Sequence, residues 1–439
     1  MIRNTFLQND LRNPFFEQLR LDNGFICLLA PLPNLRRASA TFHLRCGSRF
    51  ETPQTNGLSH FLEHAVFRGC RHYATPFDIN LRAESLGGYI SASTSAEMTE
   101  FELSLPAQNL MAGLELLSDM LSTPRLEDLE IERRVVLEEI QEDLDQKGRS
   151  IDIDFLTRSR LWPDHGLGRS VIGPLENIHD FDTAALREHH AASYVANRAV
   201  VCVAGPFEIP AMTDFLRAQL SSWPPGSPMP PLVAPHLAPG PTYEHAHRPG
   251  SQTSVRIAFH GPGERDPDYL ASNLLLRVLD DGMSTRLHRR IFDELGLCYN
   301  VAADTENCAD AGAFFVDALT SHDNADELVA RLLELLAELL SGPIPETELE
   351  KAKHRARWSL EAMLDDARSC ATWLGEQALY LSPCGPMTRA DEYDALTRED
   401  LLRAARRLLS AKNLHATTVG VMSSKARRAV EKRLRAFSP

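Results

Sequence analysis

The feature that most limits how this chain can fold is an internal repeat. Val255–His260 (VRIAFH) parallels Ala40–His43 (ATFH), Asp293–Tyr299 (DELGLCY) parallels Glu84–Tyr89 (ESLGGY), and Pro345–Leu349 (PETEL) parallels Pro124–Leu129 (PRLEDL). Matched blocks in the same order point to duplication of one α/β unit. Between the copies, Trp223–Pro241 reads WPPGSPMPPLVAPHLAPGP, proline-rich and without a periodic apolar face. Proline locks φ and removes a backbone donor, so this run is expected to be a stiff linker in polyproline geometry. The expected division is an N-terminal domain over 1–222, a linker over 223–241 and a C-terminal homologous domain over 242–439. A chain of 439 residues is long enough for two cores.

Within the first copy, Phe15–Leu29 alternates around Asp22-Asn23-Gly24, the pattern of a hairpin. Ala38–Leu44 (ASATFHL) reads as a central strand, and Tyr89–Ser95 and Thr99–Leu105 as a second hairpin after the Gly87-Gly88 stop. Ala199–Ala204 (AVVCVA) is apolar throughout, a strand closing this half. Helices are expected at about Phe77–Leu86, Leu110–Leu121, Leu126–Leu144 and Asp182–Tyr194, with Pro124 as the start signal of the third.

Asn56–His64 reads NGLSHFLEH. As a helix capped by Thr55 or Asn56, it sets His60 and His64 one turn apart on one face, with Glu63 on the adjoining edge. Two neutral imidazoles can then converge on one cation, and a carboxylate that is not a ligand can take a proton from water held there. The order H-x-x-E-H inverts the commoner H-E-x-x-H. A third ligand is expected from another buried acidic helix position. Leu126–Leu144 (LEDLEIERRVVLEEIQEDL) offers Glu132 and Glu139, two turns apart on one face beside Val135, Val136 and Leu137, and Glu139 is the candidate. The second copy lacks these groups. Its counterpart of the metal helix is Leu270–Leu279 (LASNLLLRVL), and aligning Leu349 with Leu129 puts Ser359 where Glu139 stands, so one chain should carry one metal. His43, His165, His189, His190, His236, His245, His247 and His260 have no carboxylate at ligand spacing and read as core or surface side chains.

His60, Glu63 and His64, with Glu139 about 75 residues downstream inside Glu132–Glu139 (ERRVVLEE), resemble the zinc site of the pitrilysin/insulinase family of metallopeptidases, in its bacterial, mitochondrial-processing-peptidase-like branch. The resemblance implies Zn2+ held by His60, His64 and Glu139, water activation by Glu63, and support from Glu132 outside the ligand set. It runs through Gly168, Gly173, Tyr194, Asn197 and Gly205 into the second half. It implies an α+β fold of two homologous domains, each a mostly antiparallel sheet with helices packed on one side. It also implies that two copies, or two homologous chains, enclose a chamber. There an unfolded peptide would add as a strand to Tyr89–Ser95, with Tyr89, Ser91 and Ala92 at the substrate.

Two positions depart from the family pattern. Ser91 stands where an Asn is usual. The Arg and Tyr that in the family lie seven apart in the second domain and hydrogen-bond the substrate carbonyl near the zinc are here Phe292 and Tyr299, so the resemblance implies Tyr299 at the substrate, with Arg289 and Arg290 out of phase. The expectation is a zinc endopeptidase of unfolded peptides, a leader or processing peptidase, acting as the catalytic subunit of a heterodimer whose metal-free homologue brings the Arg and Tyr. The alternatives are a self-sufficient homodimer and a non-catalytic scaffold or peptide-binding subunit.

A net charge of −14 argues against nucleic acid or anionic membrane as partner. No G-x-x-x-x-G-K-[ST] loop supports ATP-driven unfolding. The eight cysteines form no C-x-x-C pair and read as reduced, mostly buried thiols. MIRNTFLQNDLRNPFFEQL has no apolar core for a secretion signal, and no run is long enough to span a bilayer, so the cytoplasm is the expected compartment.

Overall fold

The computed structural model describes residues 15–229, 233–235, 240–380 and 383–437; within the proline-rich run, 230–232 and 236–239, His236 among them, lie outside this set. The strands are β1 (Glu17–Arg20), β2 (Ile26–Pro31), β3 (Arg37–Leu44), β4 (Tyr89–Thr94), β5 (Thr99–Pro106), β6 (Ala199–Gly205), β7 (Thr242–His247), β8 (Thr253–Gly261), β9 (Asn300–Asn307), β10 (Gly312–Thr320) and β11 (Leu414–Gly420). The helices of the first half are α1 (Leu58–Val66), α2 (Pro76–Ser85), α3 (Leu110–Ser122), α4 (Glu130–Glu142), α5 (Ile153–Leu161), α6 (Leu175–Asp180), α7 (Thr183–Ser193) and α8 (Ile209–Leu220). Those of the second are α9 (Tyr269–Leu279), α10 (Ala325–Ser341), α11 (Glu346–Ala362), α12 (Ala367–Tyr380), α13 (Pro386–Ala395), α14 (Arg398–Leu408) and α15 (Ser424–Ala436).

The strands form two sheets, ordered β1-β2-β6-β3-β5-β4 and β7-β11-β8-β10-β9. Apart from the extra edge strand β1, the two orders correspond position by position. In each, one pair is parallel (β2 with β6, β7 with β11) and the remaining pairs are antiparallel. The α+β architecture of two sheet-and-helix halves is therefore what the chain adopts. β3 lies centrally between β5 and β6, as its apolar alternation predicts.

Alternation along the strands assigns the two faces of each sheet. In the first, Phe42 is fully buried against Phe25 and Trp223 at ring distances of 6.2 and 6.3 Å, on the face where α3 packs. Thr41 and His43 point the other way, and α12 lies over them. Gly375 of α12 sits so close to the His43 ring that an added Cβ would stand 2.2 Å from it, so the approach requires glycine. In the second sheet Val255, Ile257 and Phe259 face a core built with Leu274, Leu275, Val278, Leu328 and Leu332. Arg256 and Thr417 face α5 on the opposite side, where the Thr157 and Thr417 hydroxyls are 2.8 Å apart.

The chain gathers into two compact units, and they are not contiguous in sequence. One comprises Met1–Ile140, Arg169–Leu232 and Leu360–Thr388; the other comprises Gln141–Gly168, Val233–Ser359 and Arg389–Pro439. One of the passages between them falls inside the proline-rich segment. The simple division at 222 and 242 nonetheless misses an exchange: α5 belongs with the second sheet and α12 with the first. Each half gives up the helix that follows its long helix, α4 or α11. His43 and His260, aligned by sequence, both meet the exchanged segment, His43 at Gly375 and His260 at the Trp162 ring 5.4 Å away.

Pro124 does not begin a helix. It forms a β-bridge with Cys70, Arg125 N–H bonds the Gly69 carbonyl, and Leu126 and Asp128 take positive φ, so α4 starts only at Glu130. All eight cysteines are free, seven of them buried. Among the described residues no helix is long and apolar enough to cross a membrane.

Candidate metal centre

The helix that carries the histidines is held from outside itself. α1 starts at Gly57, whose φ of 98° lies in the left-handed region and whose Cα edge meets Ile172 and Gly173 too closely for a side chain. Neither Thr55 nor Asn56 caps it, contrary to the sequence expectation. Thr55 turns back to the Thr52 N–H, and the Asn56 amide donates to Glu51 and to the Ser170 carbonyl. The cap is the Glu51 carboxylate, which accepts from Gly57 N at 2.9 Å and Ser59 N at 2.7 Å, an anion on the orphan donors of a helix start. No local capping spacing links Glu51 to these residues, so sequence pattern gave no signal for it. Ser59 Oγ lies 3.0 Å from His189 Nε2 and Cys46 Sγ 3.4 Å from the same atom, which anchors the turn just before His60.

Burial of Phe61, Leu62, Ala65 and Val66 fixes the rotation of α1. His60 and His64 are left together on one edge, their rings 4.7 Å apart. His60 Nε2 and His64 Nε2 each lie 3.7 Å from Glu139 Oε2 on α4. One ligand atom from each of the three falls within 4.8 Å of the others, and no other group of three or more His, Cys, Asp or Glu converges in this way among the described residues. Glu139 is not buried as expected: its side chain is 43% exposed. Val136 and Ile140 supply the buried face of α4, while Val135 is exposed.

Glu132 sits one layer out. Its Oε2 lies 3.4 Å from His64 Nδ1 and its Oε1 accepts from Arg68 at 3.3 Å. The contact leaves Nδ1 as donor and turns Nε2 toward Glu139, the way a carboxylate sets the tautomer of a ligating imidazole. His60 Nδ1 is buried with no such partner. Burial, with the nearby His64, pushes the His60 imidazole down to about 3, so it is neutral and the lone pair of its unprotonated nitrogen is available. Burial also pulls His64 down, but the bond to Glu132 and the charges of Glu139 and Glu63 outweigh it and leave His64 above the usual histidine value. The Glu132 carboxyl, bonded to His64 and facing Arg68, is held below the ordinary carboxylate range. Burial raises Glu63 above that range, against the opposing effect of a bond from Thr94.

That bond comes from a residue the sequence reading passed over. Thr94 Oγ1 donates to Glu63 Oε2 at 2.6 Å. Once Tyr89–Ser95 is assigned as a strand, the period of two already places Ile90, Ala92 and Thr94 on one face and Tyr89, Ser91 and Ser93 on the other. The structure puts Tyr89 and Ser91 on the side away from α1, their hydroxyls donating to the two oxygens of Glu102 at 3.2 and 3.3 Å. Arg368 of α12 meets the same carboxylate at 2.7 Å. Of the strand residues expected at substrate, only Ala92 has its side chain on the α1 face. β4 ends its sheet, so one of its backbone edges is unpaired among the described strands. Tyr299 belongs to the other unit, immediately before β9, and is 66% exposed. Phe292 packs partly buried against that unit's core, and Arg289 and Arg290 pair with Glu294 in the same π-helical turn, His288–Glu294.

The insulinase (peptidase family M16) profile matches residues 28–175, and the profile of the peptidase M16 inactive domain matches residues 180–356. An uncharacterised zinc protease of Mycobacterium leprae is 29% identical over 411 residues, covering 92% of either chain. The mitochondrial-processing peptidase subunit beta of Blastocladiella emersonii is 26% identical over 432 residues, 93% of this chain and 90% of its own length. The crystal structure of a protease from Helicobacter pylori superposes with a TM-score of 0.84 at 21% identity, over 92% of this chain and 99% of that one. The chain therefore belongs to the pitrilysin/insulinase peptidases, peptidase family M16.

Proposed function

We propose that this protein is a zinc-dependent endopeptidase in which His60, His64 and Glu139 hold the cation and Glu63 is the general base. The observation that carries the reading is the convergence of those three donors beside an adjacent carboxylate. The donor set fits the metal: two imidazoles and one carboxylate are a catalytic zinc set that leaves a position open. The 3.7 Å between Nε2 and Oε2 is close to the ~3.4 Å edge of a tetrahedron with ligand bonds of about 2.1 Å. When bound, zinc polarises the scissile carbonyl and makes a water acidic enough to lose its proton near neutral pH.

Glu63 takes that proton as the water oxygen bonds to the carbonyl carbon, and returns it to the amine nitrogen as the C–N bond breaks. Glu132 keeps His64 oriented. The unpaired edge of β4 accepts an extended peptide through main-chain hydrogen bonds, with Ala92 leaving room on the α1 face. Tyr89 and Ser91, tied to Glu102, contribute backbone and not side-chain contacts. The test is Glu63→Gln: the variant should keep its zinc and lose hydrolysis of a quenched unfolded peptide. Equal turnover by variant and wild type would overturn the reading.

The finer assignment is a processing peptidase that works as the catalytic subunit of a heterodimer, the two chains enclosing a chamber, in the cytoplasm. Phe292 supports the heterodimer, because an aromatic side chain packed on the core has no proton to donate to a substrate oxygen. A metal-free homologue would bring the missing Arg, and Tyr299 would be redundant. The exposed Arg289 and Arg290 favour the alternative of a self-sufficient homodimer. Sizing and assaying the purified chain alone separates the two: full activity from a homodimer removes the need for a partner.

A further inference from the structure

We propose that Thr94 is the residue that positions the general base, and that it does so from the strand on which the peptide is laid. The inference rests on the assignment of Glu63 as base. α1 itself offers that carboxylate no hydrogen bond among the described contacts; the 2.6 Å bond from Thr94 Oγ1 to Oε2 comes from β4. Rotation about the last torsion of a glutamate is soft, so one oxygen tied down is what directs the other. Threonine suits the task because its branched Cβ restricts χ1 and holds the hydroxyl in one direction.

The hydroxyl is itself braced. Thr94 pairs with Thr99 across the hairpin, the two Oγ1 atoms 3.3 Å apart, and Thr99 Oγ1 donates to the Cys46 carbonyl at 3.0 Å. With the Thr99 proton committed to Cys46, the Thr94 proton is left for Glu63. The strand thus presents two things at once. Its open backbone edge receives the peptide and, two residues beyond Ala92 on the same face, a side chain sets the base. Peptide docking and base alignment share one backbone, so a shift of β4 disturbs both.

The test compares zinc-loaded full-length wild type, Thr94→Val, Thr94→Ser and Glu63→Gln on a quenched unfolded peptide, together with crystal structures of the zinc-loaded wild type and Thr94→Val. Valine keeps the shape and removes the hydroxyl. Thr94→Val should lower kcat roughly 10- to 100-fold, the worth of one hydrogen bond to a charged group, with KM within about twofold and zinc content unchanged. Thr94→Ser should recover most of the loss, and the Glu63 carboxylate should be turned from its wild-type position in the Thr94→Val crystal. An unmoved Glu63 in that crystal, an unchanged kcat, or a Thr94→Ser enzyme as impaired as Thr94→Val overturns the proposal. The crystallographic comparison decides even where the isolated chain turns over no peptide. If wild type and Glu63→Gln hydrolyse equally, the base assignment itself fails; if Glu63→Gln is inactive and Thr94→Val is unimpaired, only the role of Thr94 falls.

Discussion

The two units share one sheet topology and differ in what they do with it. α1 and α9 occupy corresponding places after the central strands β3 and β8. α1 places His60, Glu63 and His64 at one edge, whereas α9 buries Leu274, Leu275, Val278 and Leu279 and offers no imidazole. α4 carries Glu139 toward the histidines; α11 carries Ser359, exposed and bonded back to the Arg355 carbonyl. Each sheet has its second face covered by a helix from the other half, α12 or α5. The second unit reaches the same topology with leucines and without the ligand set, so the duplicated fold does not depend on the metal. The metal centre is a substitution on one edge of an otherwise self-sufficient scaffold.

The strongest challenge to that contrast is an exchange of residues between the units. Glu139→Gln should lower zinc content and reduce hydrolysis by more than about 100-fold, because even partners outside the ligand set cost 10- to 100-fold. Ser359→Glu should bind no second zinc, since α9 has no histidine to complete a site, and its exposed position should leave stability within about 0.5 kcal/mol. A second zinc per chain in Ser359→Glu, measured by metal analysis, would break the contrast.

Core truncation sharpens it next. Leu62→Ala in α1 and Leu275→Ala in α9 both remove fully buried side chains, and each should cost about 2–5 kcal/mol in urea unfolding. Zinc at the proposed site would bind the folded first unit only, so at about 100 times its Kd it should raise the transition lowered by Leu62→Ala by about 2.7 kcal/mol and leave the one lowered by Leu275→Ala in place. A zinc shift of equal size in both transitions would show that the units do not unfold separately.

The smallest effect is in acid. Burial pushes His43 down to about 3, and burial with the Arg160 charge does the same to His415. Each Nε2 lies 3.0 Å from a threonine hydroxyl two residues away, Thr41 or Thr417. Both imidazoles stay neutral when folded and take up a proton near 6.5 when unfolded, so their contribution is complete above pH 6.5 and lost as pH falls toward about 3. His43→Gln and His415→Gln should each remove about one proton from the slope of stability between pH 4 and 6. In the first unit a buried carboxyl acts in the opposite sense. Burial, with Glu100 nearby, pushes Glu376 of α12 up to about 7, so its contribution is complete below pH 4.5 and lost as pH rises through about 7. Glu376→Gln should therefore stabilise the first unit more at pH 8 than at pH 5, and a change of the opposite sign would refute the burial of that carboxyl.

The sequence by itself determined the elements and the metal edge. Apolar alternation identified β3 and β5, an unbroken apolar run identified β6, and helical spacing placed His60, Glu63 and His64 together, because each of these patterns is local, while the repeat announced the duplication. Glu139 was legible for the same reason, two turns from Glu132 on one helix. Only the tertiary structure decided what depends on contacts outside any backbone period. The Glu51 cap, the bond from Thr94 to Glu63 and the exchange of α5 and α12 join segments that no periodicity relates. Pro124 was diverted from a helix start into a bridge with Cys70 by the same kind of distant pairing. A short helix such as IDFLTRSRL shows an apolar side but not which sheet will cover it, and that choice is made when the whole chain packs.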